Sequence, residues 1–154
     1  MIDSIKGTLV KKNPTSVIID IGGIRLGVPI TLATFEKIPD PNQAVELLTY
    51  LHVREDIMDL YGFYDDHERD VFMQLNSISG IGPRSAMNIL SGTNAIEFKK
   101  KIIDSDVASL TSIPGIGTKT AKRIIVELKD KFTDQETDSD LDFLLVSSLS
   151  LIHI

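Results

Sequence analysis

The chain contains no cysteine, few histidines and no long apolar run among its 154 residues. Without thiols it can form no disulfide, thiolate nucleophile or zinc-finger site, and its three histidines are too scattered to suggest a ligand set. The apolar runs fall far short of the roughly 20 residues that span a bilayer, and the N-terminus has no basic segment followed by an apolar one. These absences predict a cytoplasmic globular protein with no membrane segment, no structural metal and no cofactor.

The net charge of −6 disfavours nucleic-acid binding at first sight, but the charge is distributed unevenly along the chain. Residues 1–70 hold 7 basic and 12 acidic side chains, residues 71–133 hold 9 and 5, and residues 134–154 hold no basic and 5 acidic ones. The middle segment alone is net positive. This split indicates that one part of the chain attracts phosphate while another part repels it.

Residues 1–64 have the composition of β-strands. Their apolar residues are mostly β-branched or aromatic, often alternate with polar ones, and are separated by turn residues. Gly22 and Gly23 form a two-residue hairpin signal, because both positions tolerate a positive φ. With a short helix expected from Thr31 to Glu36, about five strands in this segment predict an OB-like β-barrel.

Beyond the barrel segment, apolar residues recur at helical spacing, which predicts an all-α domain over residues 65–132. Asp65 and Asn94, each followed three residues later by a glutamate, have the spacing of helix N-caps. The last helix is expected to run from Thr118 to Phe132. Residues 133–154, acidic at first and then apolar, are predicted to form a disordered linker and a truncated or non-native tail. The predicted class is therefore a multi-domain β plus α protein.

One internal repeat lies in the helical part, where Ile78–Ala86 (ISGIGPRSA) and Ile113–Ala121 (IPGIGTKTA) match at an offset of 35 residues. Each copy has an apolar residue two positions before its first glycine, then Gly-Ile-Gly, a residue that can start a helix, a basic residue, a hydroxyl and an alanine. This is a helix-hairpin-helix pattern, so the sequence predicts two such motifs.

The repeat has the chemistry of a phosphate-binding turn. Two glycines around an isoleucine allow backbone N–H groups to approach an oxygen anion, and the next helix adds further N–H groups and the positive end of its dipole. Ile81 and Ile116 are expected to point inward. None of these groups reads a base edge, so binding should be independent of sequence. The predicted phosphate-binding residues are Gly80, Gly82, Arg84, Ser85, Gly115, Gly117, Thr118, Lys119, Lys122 and Arg123.

Other interpretations of these residues were weighed. A single Gly-x-Gly is more often a plain turn between helices, but two matched copies favour the phosphate site. A dinucleotide-binding loop would need a preceding strand and a third glycine, which neither copy has. For Lys122 and Arg123 a solvated helix face is an equal alternative, and residues 99–101, all lysine, are interpreted as a solvated face.

The chain resembles the RuvA family in its first nine residues, in His52–Asp56 with Leu60–Phe63, and in Ile113–Lys131. The resemblance covers about residues 1–132 and implies an OB-like barrel followed by two helix-hairpin-helix motifs. It also implies a homotetramer, or two tetramers face to face, that holds the four arms of an open Holliday junction.

In this resemblance Glu55 and Asp56 match the acidic pin at the junction centre, and Arg54 beside them is expected to contact the DNA. Two carboxylates at the crossover would repel phosphates and keep strands apart. Without the resemblance these residues would be interpreted as an ordinary polar hairpin tip. The implied partners are the ATPase RuvB, reached through a third helical domain that residues 141–154 do not match, and the junction resolvase RuvC.

Two other functions were compared with this interpretation. Helix-hairpin-helix motifs also anchor nucleases and repair enzymes, but no carboxylate cluster outside the acidic tail suggests a two-metal site, and there is no ATP-binding Gly-x-x-x-x-Gly-Lys-Ser/Thr loop. A single-strand-binding barrel needs a basic groove lined with aromatics, whereas this barrel segment is acidic. The sequence therefore predicts a non-catalytic protein that holds Holliday junctions for branch migration by a partner ATPase in recombination and repair. The DNA anchor of a nuclease or repair enzyme remains the alternative.

Overall fold

The computed structural model describes the backbone of residues 2–152 and the side chains of residues 2–135. Within that part, the first segment is an antiparallel sheet of strands β1 (Ser4–Asn13), β2 (Ser16–Asp20), β3 (Arg25–Pro29), β4 (Ala44–Val53) and β5 (Met58–Phe63). Helix α1 (Leu32–Lys37) connects β3 to β4. The strands lie in the order β3-β2-β1-β4-β5.

The sheet curls until its two edge strands approach each other, and Gly62 on β5 permits this approach. A Cβ atom at Gly62 would lie 2.8 Å from Cγ1 of Val28 on β3 and 3.0 Å from Cδ1 of Leu47 on β4, so a larger residue would separate the strands. Alternate residues such as Leu9 and Ile19, both fully buried, fill the interior. The predicted OB-like barrel is confirmed.

The predicted hairpin between β2 and β3 is also confirmed. Gly22 and Gly23 both have a φ of 102°. Their N–H groups donate to Oδ1 of Asp20 at 2.9 and 3.1 Å. These two hydrogen bonds hold the pKa of the Asp20 carboxyl below its usual range.

The described chain beyond the barrel is helical: α2 (Asp66–Asn76), α3 (Pro83–Gly92), α4 (Ala95–Ile103), α5 (Val107–Thr111) and α6 (Thr118–Ile152). Both predicted N-caps are confirmed, because the side chains of Asp65 and Asn94 each accept the N–H of the glutamate three residues later at 2.8 Å. None of the helices in the described residues is long and apolar enough to cross a membrane.

A buried carboxylate connects the barrel to the helices. Glu68 on α2 is only 4% exposed, and its Oε1 accepts the hydroxyls of Thr31 at 2.7 Å and Thr34 at 2.8 Å. The N–H of Tyr64 donates to Oγ1 of Thr34 at 3.0 Å, so the end of β5, helix α1 and helix α2 share one network. Burial raises the pKa of Glu68, and this effect exceeds the lowering of the pKa by the hydrogen bonds from the two hydroxyls. Sequence spacing had indicated only its place in the first turn of α2.

The end of α6 differs from the prediction. The last helix was predicted to end at Phe132, followed by a disordered linker over residues 133–140 and a truncated or non-native tail. The backbone helix instead continues to Ile152, so the predicted end at Phe132 is wrong, while residues 153 and 154 lie outside the described residues. Phe132 is the last buried side chain among those described. The segment after it contains no glycine or proline, so no residue in it breaks the backbone hydrogen bonds of the helix.

Candidate nucleic-acid interface

The first copy of the repeat forms a hairpin between α2 and α3. The N–H of Ile78 donates to the carbonyl of Leu75 at 3.1 Å, and the N–H of Ile81 donates to the carbonyl of Ile78 at 3.0 Å. Gly80 between them has a φ of 92°, in the left-handed region that side chains disfavour. Ile81 is 7% exposed and packs in the core, as predicted.

The second copy repeats this geometry between α5 and α6. The N–H of Ile113 donates to the carbonyl of Leu110 at 3.1 Å, and the N–H of Ile116 donates to the carbonyl of Ile113 at 3.1 Å. Gly115 has a φ of 91°, and Ile116 is 4% exposed. The two copies therefore share one backbone conformation, and both inward-pointing isoleucines are confirmed.

The helix that follows each hairpin begins without a side-chain cap. Asp65, Asn94 and Asp106 each accept a first-turn N–H of α2, α4 or α5. The corresponding residue before α3 is Gly82, and Gly117 directly precedes α6. Glycine has no side chain to cover the first N–H groups, so these groups and the positive end of the helix dipole can face an external anion.

The space in front of both turns is open. A Cβ atom built on Gly82 or Gly117 meets no atom within 4 Å, in contrast to the crowded Gly62 of the barrel. An oxygen anion could therefore reach the backbone of either turn without displacing a side chain.

The structure brings the predicted phosphate-binding side chains to these two helix starts. Arg84 and Ser85 are exposed in the first turn of α3, and Thr118 and Lys119 are exposed in the first turn of α6. Lys122 is exposed one turn further along α6. Their contact with phosphate stays a prediction.

Arg123 makes a contact within the protein that sequence reasoning did not find. Its Nη1 donates to the carbonyl of Ser79 at 2.9 Å, across a separation of 44 residues. The same nitrogen lies 3.6 Å from the position that a Cβ atom would take on Gly80. The second helix of one motif is thus fastened to the hairpin of the other, and no local spacing could have indicated this contact.

The predicted pin residues lie together at the tip of the hairpin between β4 and β5. The N–H of Arg54 donates to the carbonyl of Ile57 at 2.8 Å, and Glu55 and Asp56 form the turn between them. All of these residues are exposed. Three apolar residues beside the tip, which the sequence analysis did not single out, are exposed as well: Val53, Ile57 and Met58.

A groove of about 300 Å³ joins the base of this hairpin to the first helix-hairpin-helix motif. Tyr61 lies in the wall of this groove. Its pKa is raised, first by burial and second by the negative charge of Asp59, so the hydroxyl stays protonated at neutral pH. Three barrel residues and three residues at the start of α3 face each other across the groove: His52, Arg54 and Ile57, and Gly82, Arg84 and Ser85. Residues distant in sequence therefore form one continuous surface.

Within the residues whose side chains are described, no group of three or more histidine, cysteine, aspartate or glutamate residues is arranged to hold a metal ion. Glu55 and Asp56 therefore have no third ligand of these types beside them in this part of the chain.

Comparison with known proteins agrees with this architecture. The family model described as RuvA N terminal domain matches residues 1–62, and the one described as SAM-like helix-hairpin-helix tandem matches residues 72–130. The Holliday junction branch migration complex subunit RuvA of Thioalkalivibrio sulfidiphilus is 44% identical over 131 residues, and that of Cytophaga hutchinsonii is 46% identical over 131 residues. The subunit of the same name from Coxiella burnetii is 38% identical over 138 residues.

These alignments cover most of this chain and a smaller share of the relatives. They include 85% of the chain for the first two relatives and 90% for the third. The chain spans 65% of the length of the first two and 69% of the third.

The fold and the site define a class of protein in which an OB-like barrel precedes a tandem of helix-hairpin-helix motifs. The alignments with the relatives extend over 131 and 138 residues, more than either part alone contains. The chain belongs to the RuvA family.

Proposed function

We propose that this chain is a non-catalytic, structure-specific DNA-binding subunit that holds Holliday junctions in an open four-way form. A partner ATPase then drives branch migration in homologous recombination and DNA repair. The observation that carries the proposal is the pair of matching hairpins, each leading into an uncapped helix. A Cβ atom built on the second glycine of either hairpin would meet nothing within 4 Å. The names of the relatives, subunits of the Holliday junction branch migration complex, support it.

The hairpins act as clamps on the DNA backbone. Their first-turn N–H groups bind phosphate oxygens, and Arg84 and Lys119 add a positive charge at each site. Arg123 fixes the spacing between the two hairpins through its bond to Ser79, so both bind one duplex arm together. Because every contact is to phosphate, the clamp accepts any sequence.

The hairpin tip excludes phosphate from the crossover. The carboxylates of Glu55 and Asp56 project from an exposed turn, and their repulsion extends over a Debye length of roughly 8–10 Å at moderate salt. The groove that joins this tip to the first motif supports a position of the pin beside the clamped arm. The pin thereby separates strands where bases exchange partners, and it disfavours a continuous duplex across the centre.

The assembly follows from the geometry of the substrate. Four copies of the chain, as a homotetramer or as two tetramers face to face, give one pair of clamps to each of the four arms. The motor is an ATPase of the RuvB type, since this sequence has no ATP-binding loop. The resolvase RuvC acts on the same open junction, and the complex works in the cytoplasm.

A binding titration at fixed ionic strength tests the proposal. It compares an immobile four-way junction with duplex and single-stranded DNA of equal length, with mass measurement of the complexes. We expect the junction to bind at least about tenfold more tightly, a difference of about 1.4 kcal/mol, in complexes that contain four or eight chains. Equal binding to all three would reduce the chain to a generic DNA anchor. Tighter binding to single strands, or magnesium-dependent cleavage of the junction, would contradict the proposal.

The pin is tested separately by replacing Glu55→Gln together with Asp56→Asn. We expect duplex affinity to rise more than junction affinity, because the repulsion that disfavours a duplex at the centre is lost. The control removes two charges elsewhere on the barrel, by Glu36→Gln with Glu46→Gln, both exposed. An unchanged ratio of junction to duplex affinity in the pin variant would remove the pin from the mechanism.

A further inference from the structure

The hairpin that carries the acidic tip has an apolar surface just below it. Val53 is 57% exposed, Ile57 is 38% exposed and Met58 is 75% exposed. Val53 and Met58 are directly paired across β4 and β5, and Ile57 closes the turn against Arg54. We call these three apolar residues the pin neck.

The neck is not an extension of the barrel core. Further along the same two strands, Leu47 and Phe63 are fully buried, whereas the neck residues lie where β4 and β5 extend past the covered part of the barrel. Isolated exposed apolar residues are common on proteins, but a cluster at one projecting tip more often marks a contact surface.

The position of the neck identifies what it can meet. Ile57 and Arg54 line the groove whose other wall contains Gly82 and Arg84, so the neck lies next to one of the phosphate clamps. The carboxylates at the tip keep phosphates away from this point. Of the parts of a clamped DNA arm, the flat faces of its terminal bases are apolar and suited to contact the neck.

We propose that the pin neck packs against the bases at the branch point of a four-way junction and unstacks them. This inference rests on the function proposed above and deepens it, because it assigns the separation of bases to apolar contact and the exclusion of phosphates to the acidic tip. Apolar side chains, methionine and isoleucine among them, are wedges that proteins insert between base steps, which unstacks the bases. Here the contact covers apolar side chains that the protein alone leaves in water.

The test uses the full chain and an immobile four-way junction with 2-aminopurine at the branch point, since the fluorescence of this base rises when it unstacks. A second junction carries the probe in the middle of one arm. The test variant carries the three substitutions Val53→Thr, Ile57→Thr and Met58→Gln. The matched control is Ile24→Thr, because Ile24 is a 61% exposed apolar residue at the β2–β3 turn. Thermal unfolding verifies that the variants are folded, and Met58→Gln alone tests the most exposed position with the least risk to the fold.

We expect the unaltered chain and the control to raise fluorescence at the branch point and not in the arm. The neck variants should lose more than about half of that rise, because the wedge contact is removed while the phosphate clamps remain. A full rise in folded neck variants, or no rise with the unaltered chain bound to the junction, would overturn the inference alone. Failure of the unaltered chain to prefer the junction would instead contradict the proposed function.

Discussion

The two helix-hairpin-helix motifs share a backbone but differ in their surroundings. Their first glycines have φ angles of 92° and 91°, and the hydrogen bonds that close the two turns agree within 0.1 Å. The first motif, however, adjoins the acidic hairpin of the barrel across a groove, and its leading helix α2 is anchored by the buried Glu68. The second motif is preceded by the five-residue helix α5, which is capped by an exposed Asp106.

A repeated sequence can therefore place the same backbone turn in two unequal surroundings. We infer that the first hairpin holds DNA close to the crossover and that the second holds the same arm further out. The hydrogen bond from Arg123 to the carbonyl of Ser79 holds the two turns at a fixed distance from each other. Four predictions test how far the motifs are equivalent.

The largest effect is expected at the second glycines. Gly82→Val with Gly117→Val should weaken junction binding by about a hundredfold, or about 2.7 kcal/mol, because the new side chains occupy the space that the phosphates need. The fold should be unaffected, since neither glycine has a positive φ and neither new Cβ meets an atom within 4 Å. A binding titration and a thermal melt measure both properties.

The junction affinities of the single variants Gly82→Val and Gly117→Val then compare the two turns directly. Equivalent clamps would each lose about tenfold in affinity, and the two losses would add. The control is Gly27→Val in β3, where a Cβ atom also meets nothing within 4 Å. If the double variant bound the junction as tightly as this control does, both turns would be excluded from the DNA interface.

The second prediction concerns the helices that lead into the two hairpins. Glu68→Ala should lower the free energy of unfolding by about 2 kcal/mol, because it leaves the buried hydroxyls of Thr31 and Thr34 without their acceptor. Asp106→Ala at the exposed cap of α5 should cause a smaller loss. Chemical denaturation of both variants measures the difference, and equal losses would show that the barrel contact does not anchor α2.

The pH dependence of these two sites should have opposite signs. Burial raises the pKa of Glu68 above its ordinary value of 4.5, so its contribution favours folding below that value and is lost as pH rises through the folded pKa. Glu68→Gln should therefore gain stability relative to the parent as the pH rises above 4.5. Hydrogen bonds from the Ser109 hydroxyl and N–H lower the pKa of Asp106, so its contribution is present above 3.8 and is lost as pH falls through the folded pKa. The stability of Asp106→Ala should accordingly approach that of the parent as the pH falls below 3.8.

The smallest effect is expected from the cations. Arg84→Gln and Lys119→Gln should each reduce the slope of log affinity against log salt by about 0.9, the value for one phosphate contact on duplex DNA. Lys100→Gln on the exposed face of α4 is the control and should leave the slope unchanged. Arg123→Gln should change the slope less than Lys119→Gln, because its guanidinium is already bonded to Ser79. If all four variants kept the salt slope of the unaltered chain, none of these side chains would contact phosphate individually.

Much of the local structure was predictable from the sequence. The alternating strands, the Gly22-Gly23 turn, the caps at Asp65 and Asn94, and the inward isoleucines all depend on residues within a few positions of one another. The end of α6 was not predicted, because an acidic segment without large apolar residues resembles a disordered one even where its backbone can remain helical.

The site was predictable as a list of residues but not as a surface. Spacing indicated the turns at Gly82 and Gly117 and the acidic tip, yet nothing in it showed that the tip and the first turn share a groove. Glu68 was recognisable as a first-turn residue, although its side chain bonds to threonines 37 and 34 residues away.

The conformation of the two glycine turns that we predict to bind phosphate follows from the sequence alone, because steric limits on φ and the lack of a capping side chain act within a few residues. Only the tertiary structure decided which turn lies beside the acidic hairpin, which arginine joins the motifs and which carboxylate connects barrel to helices. Those contacts depend on burial and hydrogen bonding between segments far apart in the chain, and these form only when the whole core packs.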